Sequence, residues 1–228
     1  MVQLPVKAVL FDAYGTLFDV HAPIARLAGE IGPHAQAISE LWRAKHLQYL
    51  WLRSLMGPGA FADFGTILAD ALDYAFAQYG IDNRSLRDKL LTLWLTLDAY
   101  PDAAPTLRSL RAKGIVTGIL ANGWPDMLAS AAGAAGLTDL LDHVLSVESA
   151  GIYKPHPRAY RLGEERLQLP AGMIGFVSGN GWDAAGAAHY GFQVVQLNRT
   201  GLPAERLPAQ PALMVSSLDQ AAAVFRSA

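Results

Sequence analysis

The chain has 228 residues, of which 52% are hydrophobic, and a formal net charge of −2. This length fits one large domain, or a core with a modest insertion, and the apolar content is sufficient for a full core. The balanced charge predicts neither a nucleic-acid partner nor an anionic membrane partner, and the absence of cysteine excludes disulfides and thiolate metal ligands.

The chain begins with MVQLPVKAVLFDAYG, where Lys7 and Asp12 interrupt the apolar run. We therefore expect neither a signal peptide nor a membrane-spanning helix there. A chain without cysteine is typical of the reducing cytosol, so the expected location is cytoplasmic.

Short apolar runs predict buried strands, because strands covered on both faces lack polar alternation. The predicted strands are residues 8–11, 115–121, 143–146, 174–178, 193–197 and 213–216. The helical stretches between the later strands are residues 105–113, 125–135, 158–167 and 184–190. Alternating strands and helices predict a parallel α/β sheet with right-handed crossovers.

One segment departs from this alternation, because residues 23–97 contain only helical patterns. The predicted helices there are residues 34–56, 63–79 and 85–97. We therefore predict a parallel-sheet core formed by residues 1–17 and 100–228, with an inserted all-helical cap subdomain at 18–99.

Polar and small residues follow several predicted strands at their carboxyl ends. Asp12 follows the first strand, Ala121-Asn122-Gly123 ends the second, and Ser178-Gly179-Asn180 with Asp183 follows a later one. Ligands bind at the carboxyl edge of such sheets, so these groups should converge there. This convergence is stronger evidence for a site than any one of the motifs.

Asp12 has two interpretations. Aspartate and glycine are common where strands end, so Asp12 can be a turn residue. Alternatively, a carboxylate at the mouth of an apolar sheet can act as a nucleophile on carbon or phosphorus. Gly15-Thr16 would then supply backbone N–H groups and a hydroxyl beside it.

Lys154 lies in the stretch IYKPHPRAY, where Pro155 and Pro157 stiffen the loop. A lone lysine in a loop is ordinarily exposed, but a lysine near Asp12 would favour its charged form. Tyr160, further along the same stretch, is equally consistent with helix packing and with the pocket.

Three further residues have both a structural and a functional interpretation. A helical arginine is usually solvated, but Arg43 shares one helix face with Leu47 and Leu50, which suits a clamp for a small anion with an apolar body. Asp183 is either the N-cap of the helix at 184–190 or a base in the pocket. Trp182 is either a core residue or an N–H donor to a ligand.

Five stretches together resemble the L-2-haloacid dehalogenases of the haloacid dehalogenase-like superfamily. They are LFDAYGTLFD, LWRAKHLQYLWLRSLMG, ILANGWP, YKPHPRAY and FVSGNGWDAAGA. The resemblance spans nearly the whole chain and implies a Rossmann-like core with a helical cap, a homodimer, and no metal or organic cofactor.

The resemblance also implies roles for individual residues. Asp12 matches the nucleophile, Lys154 the lysine that stabilises it, and Thr16 a pocket threonine. Arg43 and Asn122 match residues that receive the leaving halide. The supporting active-site residues it implies are Tyr160, Ser178, Asn180 and Asp183. The apolar pocket wall it implies is Leu47, Phe64 and Trp182.

Two positions depart from the family pattern. Ala121 replaces a serine that normally helps hold the substrate carboxylate, and loss of such a hydroxyl could cost ~1–3 kcal/mol in binding unless water or a backbone N–H compensates. Gly179 also replaces a more usual serine. Both departures bear on substrate and rate rather than on fold.

Tyr14 distinguishes two reactions. Phosphatases of this superfamily use an aspartate two residues after the nucleophile as general acid, and a phenol with an ordinary pKa near 10 is a poor substitute. A halide leaves without a proton and needs positive groups instead. The expected reaction is therefore displacement of halide from a short L-2-haloalkanoate by Asp12, through an aspartyl ester, with Tyr14–Thr16 and Ser178 holding the substrate carboxylate.

Water would then hydrolyse the ester to a D-2-hydroxy acid, oriented by Asp183 or by Asn180. Three alternatives remain open from sequence: a Mg²⁺-dependent phosphatase for small phosphoesters, a non-catalytic binding protein on the same scaffold, and a fluoroacetate dehalogenase.

Overall fold

The computed structural model describes residues 3–228. Its main sheet has six parallel strands in the order β4-β3-β2-β5-β6-β7. The strands are β2 (Ala8–Phe11), β3 (Val116–Ala121), β4 (His143–Ser146), β5 (Ile174–Ser178), β6 (Gln193–Leu197) and β7 (Leu213–Val215). This parallel sheet confirms the predicted α/β class.

The central strand β2 is apolar throughout, and all four of its residues are fully buried. Its neighbours are β3 on one side and β5 on the other, so the chain order reverses at β2. Ligands in open parallel sheets bind outside the strand ends at such a reversal. The fold therefore places the residue after β2, Asp12, where a ligand is expected.

Five α-helices precede, separate or follow strands β3 to β7 along the chain. They are α6 (Ala103–Ala112), α7 (Pro125–Ala134), α8 (Pro157–Leu167), α9 (Gly181–Tyr190) and α10 (Leu218–Val224). Proline at the first position of α7 and α8 suits a helix start, where its missing N–H has no helical partner to lose. The last helix was not predicted from sequence.

Between β2 and α6, a stretch that the structure describes throughout, the chain forms five α-helices, which we call the cap. They are α1 (Ala22–Arg26), α2 (Ala28–Ile31), α3 (Ala35–Met56), α4 (Phe64–Gln78) and α5 (Arg84–Leu93). The Asp63 side chain caps α4 by accepting from the Thr66 N–H at 2.8 Å. The domain boundaries at 17/18 and 99/100 stay a prediction.

The structure also differs from the sequence expectation at the end of the cap and in a second sheet. The helix predicted at 85–97 ends at Leu93 and continues as a separate 3₁₀ turn, Trp94–Thr96. A second sheet was not predicted at all: β1 (Leu4–Val6) pairs in parallel with β8 (Phe225–Ser227). Its strands read Leu-Pro-Val and Phe-Arg-Ser, and neither is an uninterrupted apolar run of the kind that predicts a buried strand.

None of the helices in the described part of the chain combines the length and the apolar character needed to cross a membrane.

Candidate active site

Asp12 follows the last residue of β2, and its N–H donates to the Val177 carbonyl at 2.9 Å. This bond continues the pairing of β2 with β5 and fixes the backbone that carries the carboxylate. Gly15 then adopts φ +82°, a left-handed conformation that glycine accepts without strain, and the chain turns back over the strand end. The Asp12 side chain is nearly buried, at 5% residue exposure.

Both oxygens of the Asp12 carboxylate face donors. Oδ2 accepts from the Thr16 hydroxyl at 3.0 Å and from the Asn180 amide Nδ2 at 2.8 Å. Oδ1 lies 3.4 Å from the Lys154 ammonium. These contacts exceed what a turn aspartate needs, so they favour a functional role over the turn interpretation.

Lys154 is fully buried, and its ammonium lies between two carboxylates. The second is Asp183, whose Oδ2 is 3.0 Å from Nζ. The Lys154 backbone N–H donates to the Asn122 side-chain oxygen at 3.0 Å, which anchors the loop to the end of β3. A buried ammonium is tolerated because it is paired, so the exposed-loop interpretation of Lys154 is wrong.

Asp183 is also fully buried and accepts from two hydroxyl groups. Ser178 Oγ donates to it at 2.9 Å and Tyr160 Oη at 2.8 Å. Burial raises the pKa of Asp183 to about 6, against the lowering effect of Lys154. A carboxyl group with this pKa can exchange a proton near neutral pH.

The N-cap interpretation of Asp183 is wrong. Helix α9 begins at Gly181, with Asn180 as its N-cap, so Asp183 lies within the first turn. Its carboxylate contacts the Lys154, Ser178 and Tyr160 side chains rather than the helix N-terminus.

Arg43 comes from the cap and meets this cluster at Asn180. Its guanidinium donates to the Asn180 Oδ1 at 3.1 Å, and the same amide donates from Nδ2 to Asp12. Asn180 therefore links a cation of the cap to the carboxylate of the core. Partial burial lowers the pKa of the Arg43 guanidinium from its ordinary value, which leaves it charged.

Tyr14 lies between the Asp12 turn and the cap. Its ring stacks on Phe64 with centroids 5.0 Å apart and an interplanar angle of 16°. The hydroxyl is buried without a hydrogen-bond partner among residues 3–228, and burial raises its pKa further above the ordinary value. A phenol in this setting is a poor proton donor, so Tyr14 forms a wall of the site.

The structure brings nine of the predicted site residues into one hydrogen-bonded network. They are Asp12, Thr16, Arg43, Asn122, Lys154, Tyr160, Ser178, Asn180 and Asp183. We call this set the Asp12 network.

The other predicted residues lie around or beside the network. Tyr14 and Phe64 form the stacked pair, and Ala121 is the fully buried last residue of β3. Leu47 is partly buried and packs against the apolar core. Trp182 packs edge-on against Trp51 at 5.3 Å and lines a cleft of about 440 Å³ that also reaches Lys154.

Gly179 has a steric reason in this chain. A Cβ added there would lie 2.2 Å from the Gly15 carbonyl oxygen, which is closer than any real contact. The Gly179 N–H also donates to Thr16 Oγ1 at 2.8 Å, and Thr16 in turn donates to Asp12. Glycine rather than serine at position 179 therefore allows the backbone at Gly179 to lie close to the backbone at Gly15.

Two residues near the network were missed by sequence reasoning. His46 is fully buried on α3, three residues after Arg43, and burial holds its pKa well below the ordinary value. Its ring packs against Phe64 at 4.4 Å. Tyr153 precedes Lys154 and contacts the cap. The sequence signals available were the three-residue spacing of His46 from Arg43 and the position of Tyr153 next to Lys154. Neither signal indicates which side chains the His46 and Tyr153 rings contact.

Within residues 3–228, no three histidine, aspartate or glutamate side chains lie close enough together to hold a metal ion.

Comparison with known proteins extends these observations. A family model described as haloacid dehalogenase-like hydrolase matches residues 6–191. The (S)-2-haloacid dehalogenase 1 of Pseudomonas sp. (strain CBS-3) is 42% identical over 95% of this chain and 95% of its own length.

Two solved structures share the fold over almost the whole chain. A dehalogenase in complex with an intermediate is 40% identical, with a TM-score of 0.95 over 100% of both chains. An L-2-haloacid dehalogenase from Xanthobacter autotrophicus, with chloropropionic acid covalently bound, is 34% identical, with a TM-score of 0.88 over 96% of this chain and 98% of that one.

Proposed function

Because this chain belongs to the haloacid dehalogenase-like hydrolases, we propose that it hydrolyses short L-2-haloalkanoic acids to D-2-hydroxy acids, with Asp12 as the nucleophile. One observation carries the proposal. A buried carboxylate is held by Thr16, Asn180 and Lys154, and a cap arginine contacts the same Asn180. One ammonium and two neutral donors thus hold the proposed nucleophile, a guanidinium lies one contact away, and the position two residues after Asp12 holds Tyr14 rather than a carboxylic acid.

In the first step, an Asp12 carboxylate oxygen attacks the α-carbon from the side opposite the halogen. The carbon–halogen bond breaks, halide leaves with the electron pair, and an aspartyl ester forms with inverted configuration. Lys154 and Asn180 hold the Asp12 carboxylate in one orientation, so that a bound substrate meets the attacking oxygen in the alignment that displacement requires.

The leaving halide carries a full negative charge and needs donors that are already in place. Arg43 supplies a guanidinium from the cap. Asn122 supplies an amide N–H, since its side-chain oxygen is engaged by the Lys154 N–H. No proton is transferred to a halide, so the step needs no general acid.

In the second step, water attacks the aspartyl carbonyl carbon, not the substrate carbon. The ester bond to the aspartyl carbon breaks, the product keeps the original Asp12 oxygen, and Asp12 regains its carboxylate. We assign the proton from water to Asp183, because a pKa of about 6 suits a base at neutral pH. Asn180 is the alternative for orienting this water.

The relatives support the carbon–halogen reaction. The 42% identical protein is named an (S)-2-haloacid dehalogenase, and the Xanthobacter structure carries chloropropionic acid in covalent linkage. The corresponding covalent partner in this chain is proposed to be Asp12.

A Mg²⁺-dependent phosphatase is the main alternative, and the geometry disfavours it. The position for the general acid holds Tyr14, which is stacked on Phe64 and has a raised pKa. The Lys154 ammonium already lies between Asp12 and Asp183, where a metal cation would need their oxygens. We therefore propose a reaction that is independent of metal.

The test is a panel of two- to four-carbon haloacids of both configurations, assayed for halide release in excess EDTA. We expect release from L-2-chloropropionate and none from the D form, with Asp12→Asn inactive but folded. Fluoroacetate belongs in the panel as the alternative substrate of the same reaction. Phosphate release from p-nitrophenyl phosphate that requires Mg²⁺, without halide release, would favour the phosphatase.

The predicted homodimer and the cytoplasmic location follow from the family resemblance and from cysteine usage, and both remain proposals. Sedimentation equilibrium across a concentration series tests the dimer.

A further inference from the structure

Tyr153 belongs to the core loop that precedes α8, but it binds the cap through three kinds of contact. Its backbone N–H donates to Ser54 Oγ at 3.2 Å, near the end of α3. Its hydroxyl donates to the Ala62 carbonyl at 2.7 Å, just before α4. Its ring stacks on Phe61 with centroids 5.2 Å apart and an interplanar angle of 21°.

The next residue is Lys154, which faces the core instead. The Lys154 N–H donates to Asn122 at the end of β3, and its ammonium lies 3.4 Å from Asp12. Of two consecutive backbone N–H groups, that of Tyr153 therefore donates to the cap and that of Lys154 donates to the core. Because the peptide unit between them is planar and rigid, displacement of Tyr153 moves the Lys154 Cα.

Burial of Tyr153 against the cap does not by itself account for its hydrogen bonds to the cap. Tyr153 is 1% exposed and contacts the cap, and the adjacent Lys154 is fully buried. The Tyr153 hydroxyl bonds to a carbonyl in the irregular segment between α3 and α4, rather than to any group of its own domain. The bond therefore exists only when the cap is seated on the core.

We propose that Tyr153 is a positioning residue that couples closure of the cap to the placement of Lys154 beside Asp12. When the cap is seated, Tyr153 holds the loop and the ammonium lies between the two carboxylates. When the cap lifts, the loop loses three contacts and Lys154 becomes accessible. The role of Lys154 in catalysis rests on the proposed function, whereas the coupling itself is a property of the folded chain.

Lysine labelling measures the coupling without any assay of activity. The chain has five lysines, at positions 7, 45, 89, 113 and 154, so mass spectrometry of reductively methylated peptides can follow each one. Lys7 is exposed and serves as the internal reference, whereas Lys154 is fully buried, and on this proposal it reacts when the cap lifts.

Tyr153→Phe removes the bond to Ala62 and keeps the stacked ring. We expect the methylation rate of Lys154, relative to Lys7, to rise about fivefold, as for the loss of one neutral hydrogen bond. Tyr190→Phe is the matched control, because it removes a hydroxyl bonded within the core to Glu164. The control should leave Lys154 labelling unchanged.

Ser54→Ala is the second variant, for use if Tyr153→Phe does not fold. It removes the acceptor of the Tyr153 N–H from the cap side and should also raise Lys154 labelling about fivefold. Equal labelling of Lys154 in the parent and the variants, or an equal rise in Tyr190→Phe, would overturn the coupling.

Kinetics then test the consequence for catalysis. Tyr153→Phe should lower kcat/KM for L-2-chloropropionate about fivefold or more, while Tyr190→Phe retains the parent value. Raised Lys154 labelling with an unchanged kcat/KM would overturn the positioning role. If the parent releases no halide at all, the proposed function fails, and the labelling result still decides the coupling.

Discussion

Lys154→Met keeps the length and apolar stem of a fully buried side chain and removes its charge. The ammonium lies 3.0 Å from Asp183 and 3.4 Å from Asp12, so the substitution leaves two carboxylates close together in a buried site. Removing one partner of a buried ion pair costs roughly 3–5 kcal/mol, because the remaining charge is uncompensated. We expect a loss of this size in the free energy of unfolding at about pH 8.

The loss should depend on pH in a definite direction. Lys154 lowers the pKa of Asp183, which is about 6 in the parent, so in the variant this pKa rises further. Between pH 6 and the higher value, the folded variant holds a proton that the unfolded chain releases. The free energy of unfolding of the variant therefore falls as the pH rises through this interval, by up to about 1.36 kcal/mol per pH unit. The difference from the parent should be larger at about pH 8 than at about pH 6.

Urea unfolding at the two pH values measures both quantities. Lys113→Met is the matched control, because the Lys113 ammonium donates to the carbonyls of Ala222 and Phe225 and pairs with no carboxylate in the described chain. Its effect on the free energy of unfolding should be smaller than that of Lys154→Met and independent of pH. A Lys154→Met loss below about 1 kcal/mol, or one equal at both pH values, would refute the account of the buried pair.

Three further outcomes follow from the same geometry. Burial raises the pKa of Asp183 to about 6, so kcat should fall as the pH drops through 6 and Asp183 gains a proton. Asp183→Asn should lose most activity, and the pH profile of its residual kcat should not fall near pH 6. Gly179→Ala puts a Cβ 2.2 Å from the Gly15 carbonyl oxygen and should lower the free energy of unfolding, measured by urea titration, by roughly 1–3 kcal/mol. The control is Gly172→Ala, where the added Cβ meets open space and should change this free energy by less than about 0.5 kcal/mol. Ala121→Ser restores a hydroxyl at the end of β3 and should lower KM for L-2-chloropropionate about fivefold; an unchanged or raised KM would mean that water or a backbone N–H already fills this role.

The strands of the main sheet were predictable because each is a short, mostly apolar run, and β2, β3, β5 and β6 are almost wholly buried. Residues 8–11 are such a run, and β2 has those bounds. The carboxyl ends of these strands bring Asp12, Asn122 and Ser178 to one edge, which depends only on a parallel sheet. β1 contains a proline and β8 has two exposed polar residues, so neither is an apolar run, and both were missed.

Contacts between distant segments were harder to predict. Spacing places Arg43 on a helix face, but its bond to Asn180 depends on how the cap sits on the core. The same applies to Tyr153, whose hydroxyl meets a carbonyl 91 positions earlier in the chain. Asp183 follows a local rule that favours an N-cap, and burial beside Lys154 overrides that rule.

A single turnover in ¹⁸O-water, with enzyme in excess over L-2-chloropropionate, tests the proposed nucleophile most directly. The peptide that contains Asp12 should gain one ¹⁸O atom, and the first D-lactate released should contain none. Label in the lactate, with an unlabelled Asp12 peptide, would show that water attacks the substrate itself and that no ester forms on Asp12.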